Sequence, residues 1–186
     1  MLADNNKSYL LKTTLLPTPN LKNTMKTIFL LIVILISMTT KAQVTKVYLQ
    51  ASGLTCSMCS NSINKSLKTL DFIDKVDADI KNYTFEISFK PNSNIDFDKI
   101  KKKVEDAGFS VSGFVATIYF NNVQLKDDQP ITIGNHTLYF VNLNGNSLNG
   151  AKQVKILDKG FISSKEYKSN AFSKSLTNVG IYHVTL

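Results

Sequence analysis

Cys56-Ser57-Met58-Cys59 brings two thiols and a thioether into four consecutive residues of a chain that has only two cysteines. The thiolate, not the thiol, is the nucleophile and the metal ligand, and its pKa falls within a Cys-X-X-Cys spacing. Two such thiolates can approach one ion from either side, and soft sulfur donors favour soft ions, Cu(I) first. A closed zinc site takes four ligands. The two histidines, His136 and His183, stand far along the chain and are read as structural or exposed strand residues. They become secondary ligands only if the fold joins them. The same pair of cysteines also suits a thiol–disulfide redox centre, a structural disulfide, or two small buried residues.

The flanking pattern supplies what must position the pair. Val47, Leu49 and Ala51 alternate with Lys46, Tyr48 and Gln50, the period of a half-buried strand. Ile63, Leu67 and Leu70 then fall on one helical stripe. The cysteines therefore lie at a strand-to-helix junction, where unpaired amides and the helix dipole favour negative charge. Val76, Ala78 and Ile80 alternate as a second strand, and Phe85, Ile87 and Phe89 as a third after a turn at 81–83. Asp96 is a predicted N-cap for a helix burying Phe97, Ile100, Val104 and Ala107, with 101–103 an outward lysine run. Gly108 stops it, and 109–111 forms a fourth strand. The order βαββαβ is ferredoxin-like.

With Gly53-Leu54-Thr55-Cys56-Ser57-Met58-Cys59 between the first strand and first helix of such a unit, the segment from Lys46 to Val111 resembles the heavy-metal-associated domain. Asp106-Ala107-Gly108-Phe109 resembles that family's exit from its second helix. The family occurs in copper chaperones, in the N-terminal modules of copper-transporting P-type ATPases and in periplasmic mercury-binding proteins. The resemblance implies Cys56 and Cys59 as metal ligands, Cu(I) as the leading ion with Hg(II), Ag(I) or Zn(II) behind it, and a metal-transporting ATPase or other thiol-bearing acceptor as partner. Leu54 replaces the family's usual methionine, an inward-packing position where leucine conserves volume. Thr55 shapes the loop, Met58 points to solvent or a partner, and Phe109 supplies an apolar wall.

Ahead of this unit, Lys26 precedes an apolar run at 28–38, which Thr40-Lys41-Ala42 follows, as in a secretory signal peptide. The run is short for a bilayer span. Residues 25–42 are expected to be a signal peptide, with 27–38 as a membrane anchor if uncleaved. Residues 1–24 read as an over-extended or disordered start, with Met25 the initiator. The expected location is periplasmic or secreted. Cleavage after Ala42 removes five lysines and one acid, halving the formal charge of +8.

Residues 44–112 form the expected metal domain and 113–186 a second, small β-rich one. There 114–120, 131–133, 137–142, 154–157 and 180–186 read as strands and 163–173 as a short helix, together a small barrel of OB-like type or a sandwich. The overall class is α+β. All 22 basic residues are lysine. Without arginine, a nucleic-acid surface built on Lys165, Lys168, Lys174, Tyr167 and Phe172 is disfavoured. The expected role is that of a non-enzymatic metallochaperone or scavenger, with thiol–disulfide oxidoreductase the rival.

Overall fold

The alternating apolar residues of the first strand turn Val47, Leu49 and Ala51 into the core, while Lys46, Tyr48 and Gln50 stay on the open face. The computed structural model describes residues 43–125, 129–141, 147–170 and 179–186. The signal segment expected at 25–42 and the stretch 1–24 lie outside the described residues, as does 171–178, where the expected last helix was to end. The elements are β1 (Gln43–Ser52), α1 (Ser57–Leu67), β2 (Ile73–Asp79), β3 (Thr84–Phe89), α2 (Phe97–Asp106), β4 (Ser110–Gln124), β5 (Ile131–Ile133), β6 (His136–Phe140), β7 (Ser147–Ile156), α3 (Ser164–Ser169) and β8 (Ile181–Thr185). No helix among the described residues is long and apolar enough to cross a membrane.

The first six elements follow the expected βαββαβ order. β1 lies between β3 and β4, antiparallel to both, and β2 flanks β3. Helices α1 and α2 bury Ile63 and Leu67, and Phe97, Ile100 and Val104, into one core with the inward residues of those strands. Asp96 caps α2 as its sequence position predicts: Oδ1 accepts from the Lys99 amide at 3.0 Å. Such a cap contributes about 1 kcal/mol. The 81–83 turn also forms, with Asp79 Oδ1 accepting from the Lys81 amide at 3.0 Å.

Beyond residue 112 the architecture departs from expectation. The strands predicted at 109–111 and 114–120 are one fifteen-residue strand, β4, in which Gly113 pairs with Gln50 beside a register shift at 111–113. The boundary expected at 112/113 thus falls inside a strand. β4 continues past β1 and pairs with β7, and the sheet runs β2-β3-β1-β4-β7-β8-β6-β5. Among the described residues, the second half closes no barrel of its own; it extends the sheet of the first. It also reaches α2: Phe97 stacks on His136 with centroids 3.9 Å apart and meets Phe114 at 5.1 Å and Tyr182 at 5.5 Å. Tyr182 donates its hydroxyl to Asp98 at 2.8 Å, and Lys101 Nζ lies over the Phe161 ring.

Candidate metal centre

The loop between β1 and α1 opens at Gly53, whose φ of +88° is left-handed backbone that a side chain strains. A Cβ there would stand 3.9 Å from the Phe109 ring, so the loop and the α2–β4 exit are packed together. Leu54 turns inward and is buried, as expected for its position. Cys56 is the N-cap of α1, in extended conformation, with no side-chain cap bond to the helix. Cys59 is the third residue of the first turn, and its amide donates to the Cys56 carbonyl at 3.1 Å. An extended N-cap followed by a helical turn is what brings positions 56 and 59 together.

Their Sγ atoms are 3.2 Å apart, far beyond a disulfide's roughly 2.05 Å, and both thiols are free. Cys56 is exposed, whereas Cys59 is half-buried and rests on the core. Hydrogen bonding to the Thr55 backbone, followed by the Cys56 thiol, brings the Cys59 thiol down to about 7. The first turn of α1 carries no acidic residue to oppose that charge. Thr55 Oγ1 also lies 3.9 Å from the Cys59 sulfur, so Thr55 takes part in setting the thiol's charge as well as shaping the loop. Met58 projects into solvent, 80% exposed. Directly behind the pair, Ser60 is buried, a polar position that the helical stripe of leucine and isoleucine did not reveal.

The histidines are not part of this centre. His136 stacks on Phe97 and lies 5.6 Å from the Tyr182 ring. His183 donates its amide to Asp158 at 2.7 Å, shares Nδ1 with the same carboxylate at 2.8 Å, and faces Tyr139. Because Tyr182 and His183 are consecutive strand residues, the two imidazoles lie on opposite faces of the sheet. Both are buried, so the alternative of exposed strand histidines does not hold and no shared site joins them. Among the described residues no cluster of three or more His, Cys, Asp or Glu gathers around one point. What the loop offers is a two-sulfur site with one approachable side.

Residues 49–110 match the family model described as the heavy-metal-associated domain. A probable copper-transporting ATPase of Arabidopsis thaliana is 38% identical over 69 residues, which is 37% of this chain and 7% of the plant protein. A probable copper-exporting P-type ATPase of Archaeoglobus fulgidus is 34% identical over 33% of this chain and 8% of its own length. The chain therefore spans less than a tenth of these curated relatives. The solution structure of a yeast copper transporter domain, studied in apo and Cu(I)-loaded states, is 32% identical over 35% of this chain and 88% of its own, with a TM-score of 0.32.

Proposed function

We propose that the chain, whose residues 49–110 match the heavy-metal-associated domain, binds a soft metal ion, Cu(I) before others, between Cys56 and Cys59 and passes it on by ligand exchange. The observation that carries this reading is the meeting of two free sulfurs at 3.2 Å at the mouth of α1. It is supported by the copper-transporting ATPases to which the segment is similar. Binding converts any thiol still protonated to thiolate and releases its proton. Two bonds of the length typical of metal–thiolate contacts, roughly 2.3 Å, from opposite sides need the sulfurs to move apart. The exposed N-cap position of Cys56 leaves room for that movement.

Transfer begins when an acceptor thiolate adds to the bound ion from the open side. One sulfur of the pair then leaves and takes up a proton, so neither metal nor sulfur changes oxidation state. The acceptor in this proposal is a metal-transporting ATPase or another thiol-bearing protein, and the chain acts without covalent catalysis. The segment 25–42 is proposed to direct the protein out of the cytoplasm. There the pair must receive metal, or be held reduced, before oxygen closes it into a disulfide. Replacing both cysteines by serine is expected to abolish one-to-one Cu(I) uptake measured anaerobically against a competing chelator. Uptake unchanged in that double variant refutes the assignment.

The closeness of the sulfurs and the lowered Cys59 thiol also suit thiol–disulfide exchange. Insulin reduction separates the two readings: an oxidoreductase accelerates it in a cysteine-dependent way, and a metal carrier does not.

A further inference from the structure

The junction of the two halves leaves a cleft of about 530 Å³, within the size range of small-ligand sites, roughly 300–1,000 Å³, between the start of β4 and the segment 159–168. Its floor includes Val111 and Ile162, and Ser52, Ser110, Ser112 and Ser164 line it, the Ser112 hydroxyl donating to the Gln50 carbonyl at 3.3 Å. Lys159 and Lys168 complete the opposite wall. Neither of these ammonium groups has an ion-pair partner among the described residues, unlike Lys155, which is held by Glu166. The one acid on the lining is Glu105. It shares its surroundings with Lys101: from where a Cβ on Gly160 would stand, Glu105 Oε1 is 3.8 Å away and Lys101 Nζ 3.7 Å. The balance of charge around the cleft is therefore positive.

The cleft is a product of this chain's own second half. Gly160, at φ +84°, lets the turn after β7 close against α2, where a side chain would meet Lys101 Cδ at 3.2 Å. Its floor adjoins the metal loop: Ser52 directly precedes Gly53, Ser110 directly follows Phe109, and the Ser52 hydroxyl donates to the Ser110 carbonyl at 3.4 Å. We propose that this cleft binds a small organic oxyanion, a carboxylate or a phosphate ester, with its charge on Lys159 and Lys168, its oxygens on the Ser110 and Ser164 hydroxyls and its carbon skeleton over Val111 and Ile162. Two cations without ion-pair partners beside the Ser110 and Ser164 hydroxyls recognise acceptor oxygens, and an apolar floor favours an organic anion over a bare inorganic one.

The test titrates the full chain, without metal, with citrate and separately with glycerol 3-phosphate, using glycerol as the neutral control and amide chemical shifts as the readout. Saturable shifts at Ser110, Ser112, Gly160 and Ser164 are expected with at least one anion and none with glycerol. Response to citrate alone assigns a carboxylate, and response to the phosphate ester alone assigns a phosphate. Lys159→Ala with Lys168→Ala is expected to weaken binding at least about tenfold. Both lysines are exposed, so the double variant should keep its remaining spectrum. No saturable shift with either anion, or equal affinity in the double variant, overturns the proposal. Cys56→Ser with Cys59→Ser leaves anion binding unchanged, which separates this site's failure from that of the metal reading.

Discussion

Cys59 is the residue whose chemistry is most altered by its surroundings. Hydrogen bonds from the Thr55 backbone and the Cys56 thiol favour its thiolate and bring it to about 7. A lowered thiol pKa means that the reactive anion is present above that value and lost as pH falls through it. In the metal-free protein, alkylation of Cys59 by iodoacetamide should therefore rise with pH around a midpoint near 7. A midpoint at the ordinary thiol value near 9.0 would show that the Thr55 contact does not act on the sulfur. At this scale the sequence was informative. Cys-X-X-Cys at a strand-to-helix junction follows from local spacing and pattern, and Leu54 inward follows from the family resemblance. The burial of Ser60 and His136 did not, since it depends on what packs over each residue from elsewhere in the chain.

Among the elements, α2 is held from two sides. Its Asp96 cap and the Phe97, Ile100, Val104 stripe are local features and were legible. The partners on its other flank, His136 and Tyr182, come from strands far along the chain. Burial drives the His136 imidazole down to about 4 from its ordinary 6.5, although Asp96, Asp98 and the Ile95 backbone pull the other way. The unfolded chain thus binds a proton at this residue between those values that the folded chain refuses. Stability is fully present above pH 6.5 and is lost as pH falls toward 4, by about 3 kcal/mol for a shift of this size. Urea midpoints should fall across that window in the wild type and fall less in His136→Phe, whose ring can keep the stack on Phe97. Equal pH slopes in the two proteins would mean that the histidine is not buried in neutral form. The misread strands have a similar origin. Gly113 and the asparagine–glycine pairs near β7 signal turns locally, but pairing with β1 carries β4 through the first across a local register shift, and β7 extends from Ser147 through Gly150.

For the molecule as a whole, the aromatic cluster of Phe97, Phe114, His136, Phe161 and Tyr182 joins the metal domain to the segment that follows it. Truncating a buried phenylalanine to alanine typically costs about 3–5 kcal/mol through lost transfer energy and the cavity left behind. Phe97→Ala should reduce stability by about that amount in chemical denaturation. The loss should appear in one transition that reports both halves, since Phe97 touches residues from each. A change below about 1 kcal/mol would show that the site collapses without penalty. The division expected at residue 112 was not readable as a continuation because a fourth strand that ends a ferredoxin-like unit and one that runs on share the same alternation.

That continuation also decides which borders of the sheet remain open. In a four-stranded unit β4 would be an outermost strand, with a row of amides and carbonyls free to template another chain. Here β7 occupies that border, and among the described residues the sheet ends in β2 and β5. β5 offers three residues, too few for a long ladder, and β2 carries Asp74, Lys75, Asp77 and Asp79 along its seven. Short length and charge are the two features that discourage edge-to-edge aggregation, so the added half guards the βαββαβ unit against self-association at the border it would otherwise expose.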